Sequence, residues 1–236
     1  LENIKHNEIK KLFVKGNLSK DLKQNLSDLL SIITKPIAVR SSGMFEDSLM
    51  QPFAGIFETY LLPNNNSKKS ERLRQAEDAI KLVMASVFST TAKGYVKAID
   101  YKIEEEKMAV VIQEVVGNKF GDVFYPHISG VAQSYNFYPF AHMKPEEGFA
   151  IAGVGLGKYV VEGNMAYRFS PSYPSIEINS TKDQLRNSQV KFYGVDMKKD
   201  NLNLLEGESA GLKECDISMA EKHGTLNHLA SVYNPD

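Results

Sequence analysis

Two stretches repeat apolar residues at helical spacing. In "LSKDLKQNLSDLLSII", Leu22, Leu26, Leu29, Leu30 and Ile33 fall on one face, and Ser19 stands where an N-cap belongs. In "KKSERLRQAEDAIKLVMASVF", Leu73, Ala76, Ile80, Val83, Met84, Val87 and Phe88 form a stripe with charges opposite. Between them the period shortens. Pro36 opens a predicted strand, "PIAVRSS", because proline is tolerated at a strand's first residue. A second strand, "AGIFETYLL", is closed by the turn-rich "PNNNS". The acidic run at 104–106 reads as a solvated turn, and "MAVVIQEVV" follows it. Nearly all apolar, this run predicts a central strand covered on both faces, in the same body as the second helix. Further strands are expected in "DVFYPHISGVAQSYNFYP", "GFAIAGVG" and "KYVVEGNMAYRF". From about residue 171 the pattern weakens, leaving "QVKFYGVDM" as a strand and "SMAEKHGTLNHLASVY" as a helix or connector. Helices packed on a largely antiparallel sheet predict an α+β architecture.

Composition narrows the function classes. The 236 residues carry a formal net charge of −1, so no global field draws in nucleic acid or anionic lipid. Any phosphate site must be local. A single cysteine, Cys215, excludes an intrachain disulfide or a cysteine-cluster metal site and fits a cytoplasmic location. No apolar run approaches the ~18 residues that span a bilayer. The expectation is therefore no membrane and no nucleic-acid partner. The polar opening "LENIKHNEIKK" has no initiator methionine, which suggests a segment cut from a longer polypeptide.

Arg40 is the first candidate for chemistry. Side chains alternate along "PIAVR", so Ile37 and Val39 share one face while Ala38 and Arg40 share the other. A guanidinium ending an apolar strand needs a partner. A bidentate phosphate or carboxylate would supply one, and so would an internal ion pair with Glu46, Asp47 or Glu58. Ser41 and Ser42 would donate to the same anion or cap a turn. "QEVV" at 113–116 ends the most apolar strand, where backbone groups could face a heterocycle or simply enter the Gly117 turn. Gly153, Gly155 and Gly157 allow a close approach of a ligand to backbone. They fail as a dinucleotide fingerprint, since β-branched residues follow where a helix should start, and a bulged strand turn is expected. The histidines His6, His127, His142, His223 and His228 lack metal-ligand spacing, and no nucleophile triad can be assembled from them.

Four segments in order resemble the N-terminal, ATP-grasp type ATP-binding domain of phosphoenolpyruvate synthase and pyruvate phosphate dikinase. "VRSSGMFEDSLMQPFAGIFETYL" resembles the family's V-R-S-S, E-D, F-A-G, E-T-Y/F-L succession. "MAVVIQEVV" is similar to M-A-V-V-V-Q-x-M-V, "SGVA" to its S-G-V segment, and "GLGKYVVEG" to G-L-G-E-x-V-V-x-G. The resemblance implies a helical lead-in over 1–35, an ATP-grasp-like nucleotide-binding core over 36–170, and a C-terminal extension or connector over 171–236.

It also implies roles. Arg40, with Ser41, would contact ATP phosphates and act in catalysis, and main-chain groups around Gln113 and Val115 would meet the adenine. Lys158 would touch a phosphate, and Glu162 and Asn136 would be left to hold magnesium. The parent enzyme would transfer phosphate from ATP to a histidine on another domain, alongside a domain for pyruvate or phosphoenolpyruvate. The chain departs from the pattern at Lys158, which replaces the glutamate of G-L-G-E, and at Thr91, which replaces the arginine of R-A-x-x-Y. The family's G-G-K-x and T-S-H-A segments do not occur in this sequence. The chain alone is therefore expected to bind ATP weakly or not at all and to transfer no phosphate. A non-catalytic nucleotide-binding or regulatory relative is the alternative. A sugar-binding or scaffold domain on the same sheet is a more distant one.

Overall fold

A computed structural model describes residues 4–43, 55–98, 107–163, 166–176, 179–227 and 229–231. The expected turn at 104–106, Ala54 at the head of the "AGIFETYLL" strand and the candidate Arg40 partners Glu46 and Asp47 lie outside these residues, and of that strand only Tyr60–Leu62 forms. The fold is α+β, with antiparallel ladders and packed helices. It divides into two compact units. Unit 1 comprises Leu1–Val115 and Val195–Leu212, and unit 2 comprises Val116–Gly194 and Lys213–Asp236.

Unit 1 begins with helices α1 (His6–Lys15) and α2 (Lys20–Ile32). Ser19 caps α2, its hydroxyl oxygen accepting from Leu22 N at 3.2 Å. The long helix α3 (Lys69–Ala85) lies where its stripe predicts it, followed by α4 (Thr90–Ala98). Strands β1 (Ile37–Ser42), β2 (Tyr60–Leu62) and β3 (Ala109–Glu114) form an antiparallel sheet ordered β2-β1-β3. One core joins α2, α3 and this sheet through Leu26, Leu30, Ile37, Val39, Leu82 and Val83. Leu202, Leu204 and Ala210 belong to the same core, so residues 195–212 are built into unit 1. Leu26 and Leu30 of α2 pack in this core as well.

The expectation of a central β3 is overturned. Among the described residues β3 is an edge, and β1, paired on both sides, is the middle strand. Val110 and Ile112 pack on the core, whereas Ala109, Gln113 and Glu114 are exposed. A run without polar residues cannot by itself report that only one of its faces is covered.

Beside the core, the Tyr60 hydroxyl donates to Glu58 Oε2 at 2.5 Å, and Lys10 Nζ sits 2.5 Å from Glu58 Oε1. Burial, followed by the Glu58 hydrogen bond, pushes the Tyr60 phenol well above its ordinary range. Unfolded, this phenol ionises near pH ~10, while folded it keeps its proton. Its contribution is therefore complete below about pH 10 and is lost as pH rises further. Urea midpoints should fall above that pH, and Tyr60→Phe should flatten the fall. An unchanged alkaline limb in the variant would refute the assignment.

Unit 2 holds two sheets. One carries β4 (Asn118–Phe120), β5 (Val123–Tyr125), β9 (Lys191–Asp196) and β10 (Leu212–Asp216), in the order β10-β9-β5-β4. The chain crosses from unit 2 to unit 1 within β9 and returns at β10. The other sheet runs β6 (Ser129–Gln133), β7 (Phe149–Gly153), β8 (Tyr167–Phe169), all antiparallel. Short helices α5 (Lys158–Val161), α6 (Thr181–Arg186) and α7 (Ile217–Lys222) complete the unit. Its core gathers Val123, Tyr125, Val154, Phe192, Cys215 and Ala220.

The "KYVVEGNMAYRF" segment, expected as one strand, is instead α5 and β8. Gly155 has φ of +83°, and a Cβ there would lie 2.7 Å from the Phe192 ring. Leu156 N then donates to Tyr193 O at 2.9 Å. This bond turns the chain into a helical turn despite its β-branched residues.

Candidate functional site

Arg40, Ser41, Gln113 and Val115 are brought together at the β1–β3 pairing in unit 1. The register opposes Arg40 to Val111 and Ala38 to Gln113. Alternation places Val39 in the core, leaves Arg40 exposed, and buries Ser41. Arg40 Nε donates to Gln113 Oε1 at 3.3 Å, and Nη1 to Ser41 O at 3.4 Å. No carboxylate pairs with Arg40 among the described residues. Glu58, one of the expected partners, is taken by Lys10, Tyr60 and His6. Among the described residues the other N–H donors of the Arg40 fork have no acceptor, and their geometry suits an anion.

The strand end beside Arg40 fixes which backbone groups a heterocycle could meet. Val115 N donates to Pro36 O at 2.8 Å, extending the ladder with β1. Antiparallel pairing turns alternate residues toward the partner. The backbone groups of Gln113 and Val115 thus face β1, and those of Glu114 face outward.

The unit 2 candidates fall into two separate places. Lys158 and Glu162 form an i,i+4 ion pair, Nζ to Oε1 at 2.8 Å, created by the helical turn of α5. Asn136 is 4% exposed, and its Oδ1 accepts from Arg168 Nη2 at 2.7 Å and from Tyr138 N at 3.1 Å. These residues do not fit a magnesium site. Glu162 faces an ammonium group, and the Asn136 oxygen is filled by a guanidinium and a backbone donor. Among the described residues no group of three His, Cys, Asp or Glu could hold a metal. Thr91, at the departure from R-A-x-x-Y, is exposed on α4.

Sequence reasoning missed Arg168. Its side chain lies 4.0 Å over the Phe149 ring and bonds Asn136, 32 residues away along the chain. The available signal was a cation set in "AYRF", an otherwise apolar strand.

Comparison with known proteins supplies the rest. The family described as "Pyruvate phosphate dikinase, AMP/ATP-binding domain" matches residues 2–225. The chain is 28% identical over 215 residues to a phosphoenolpyruvate synthase of Aeropyrum pernix, covering 90% of this chain and 23% of that protein. It is 32% identical over 155 residues to the "Uncharacterized phosphotransferase YvkC" of Bacillus subtilis, covering 64% of this chain and 16% of that protein. The chain thus spans less than a quarter of the length of either relative.

Proposed function

The chain belongs to the pyruvate phosphate dikinase AMP/ATP-binding domain family, and from that premise we propose that it binds ATP through Arg40 as part of a larger phosphotransferase. The observation that carries this reading is the exposed Arg40 guanidinium, held by Gln113 Oε1 and Ser41 O with no carboxylate partner among the described residues. A planar cation fixed on a rigid strand suits a phosphate, because its fork is preorganised and loses little freedom on binding. The adenine is met by the outward backbone groups of Glu114 at the end of β3, which offer an acceptor and a donor.

The parent enzyme, in this proposal, is a phosphoenolpyruvate synthase or pyruvate phosphate dikinase-like protein of ATP-grasp type, working in the cytoplasm. It moves phosphate from ATP to a histidine on another domain, with phosphoenolpyruvate or pyruvate handled by a further one. Arg40 contributes by orienting phosphate and neutralising its charge, which are the main protein contributions to phosphoryl transfer. Since Asn136 and Glu162 do not fit magnesium, no step is routed through the metal.

A non-catalytic relative is the second reading. The Lys158–Glu162 pair favours it, because Glu162 is the carboxylate nearest the position where the family has a glutamate.

Calorimetric titration of the chain with ATP, with and without magnesium, tests both. The expected result is saturable binding near ~1 mM, about −4 kcal/mol, little changed by magnesium, with no ATP turnover. Absence of saturable binding would sink the ATP reading for this chain. Micromolar, magnesium-dependent binding or turnover would show a complete site.

A further inference from the structure

We propose that unit 2 carries a ligand site of its own, for a small planar aromatic compound bearing a carboxylate or phosphate. A cavity of about 370 Å³ opens beside β7 and β8, lined among others by Asn136, Tyr138, Phe140, Phe149 and Arg168. That is the size of a small-molecule pocket.

Its charge comes from one cation, Arg168. Arg168 stands opposite Ile151 in the β7–β8 register, half-buried, with its guanidinium carbon 4.0 Å from the centre of the Phe149 ring. Only one of its nitrogens finds a protein acceptor among the described residues, Nη2 donating to Asn136 Oδ1 at 2.7 Å. Asn136 is 96% buried, the complement of its 4% exposure. Tyr138 N and Arg168 both donate to its Oδ1, which fixes the amide orientation and leaves Nδ2 as a donor. Nδ2 has no acceptor among the described residues. These donors are reached by water, which the acceptor atoms of a ligand can replace. No carboxylate lines this cavity, so an anionic ligand would meet a cation there and no like charge. A guanidinium and an amide N–H side by side match the two oxygens of a carboxylate or phosphate.

The walls select the rest of the ligand. Phe149, already under the guanidinium, Phe140 and Tyr138 offer ring faces and edges, and the latter two are 49% and 80% exposed. Large exposed aromatics beside a cavity gain by covering another flat ring. A metal ion is excluded by the same donors, which repel a cation. Asn136, expected from the sequence to ligate magnesium, is thus set to meet an anion.

The test uses the whole chain and 2-naphthoate. The chain has no tryptophan, so the probe's fluorescence is read without interference from indole. Saturable binding is expected. It should weaken at least about tenfold, the scale of losing a charge-assisted contact, for neutral 2-naphthalenemethanol and for Arg168→Gln. Phe140→Ala, at a half-exposed wall of the cavity, should weaken binding too, while Arg40→Ala should leave it unchanged. Excess ATP should not displace the probe, which separates this site from the nucleotide reading. Tighter binding of 2-naphthyl phosphate would support the proposal and name phosphate as the anion. No saturable binding, equal affinity for the neutral analogue, wild-type affinity in both Arg168→Gln and Phe140→Ala, or displacement by ATP would each overturn it.

Discussion

Replacing Phe192 by alanine should destabilise unit 2 by about 3–5 kcal/mol, the range for removing a fully buried phenylalanine. Phe192 is 0% exposed and its ring centre lies 4.7 Å from that of Tyr125, in the core with Val123, Val154 and Cys215. Two further contacts make the site unable to collapse around a smaller side chain. The backbone of Gly155 approaches the ring so closely that a Cβ would lie 2.7 Å from it. On the other side Tyr125 is fixed by its hydroxyl, which bonds His223 Nδ1 at 2.8 Å and Thr225 Oγ1 at 3.2 Å. The lost ring therefore leaves a cavity that its neighbours cannot fill. Urea unfolding followed by far-UV circular dichroism checks it. A loss under about 1 kcal/mol would mean that this core repacks freely.

Arg40→Ala should weaken ATP binding in the proposed parent phosphotransferase by ~1.5–3 kcal/mol, roughly 10- to 150-fold in the dissociation constant. Folding should change by less than about 0.5 kcal/mol, since Arg40 is exposed and makes no ion pair among the described residues. Arg40→Lys should recover only part of the loss. An ammonium keeps the charge but cannot span two oxygens or keep the fork's contact with Gln113. Affinity unchanged in Arg40→Ala, with the variant folded, would remove Arg40 from the nucleotide site. Gln113→Leu separates positioning from binding. It removes the acceptor that orients Nε, so its effect on ATP affinity should be smaller than that of Arg40→Ala. It should also be absent when Arg40 is already alanine.

Several features of this protein follow from local sequence alone. α2 and α3 form where apolar residues recur on one face, and Ser19 caps α2 as its side-chain chemistry predicts. Alternation in "PIAVRSS" put Val39 and Arg40 on opposite faces before any partner strand was known, since side-chain direction is set by backbone geometry, but which face would be covered was left to the fold. The family, too, was legible from four short segments in order.

Tertiary structure decided what depends on distant residues. An apolar run such as 108–116 carries no mark of whether one face or two will be covered, and only the pairing with β1 made β3 an edge. β-branched residues after Gly157 favour a strand locally. The bond from Leu156 N to Tyr193 O and the closeness of Gly155 to Phe192 outweigh that preference, and the helical turn they create brings Lys158 to Glu162. Asn136 reads as a possible cation ligand because an amide can offer either an oxygen or a nitrogen. Arg168, 32 residues later and brought in through β8, occupied the oxygen and turned the nitrogen outward. Helix periodicity and strand alternation act over a few residues and are written in the sequence. Strand pairing, core closure and the choice between two faces of a polar group join residues that only the folded chain brings together.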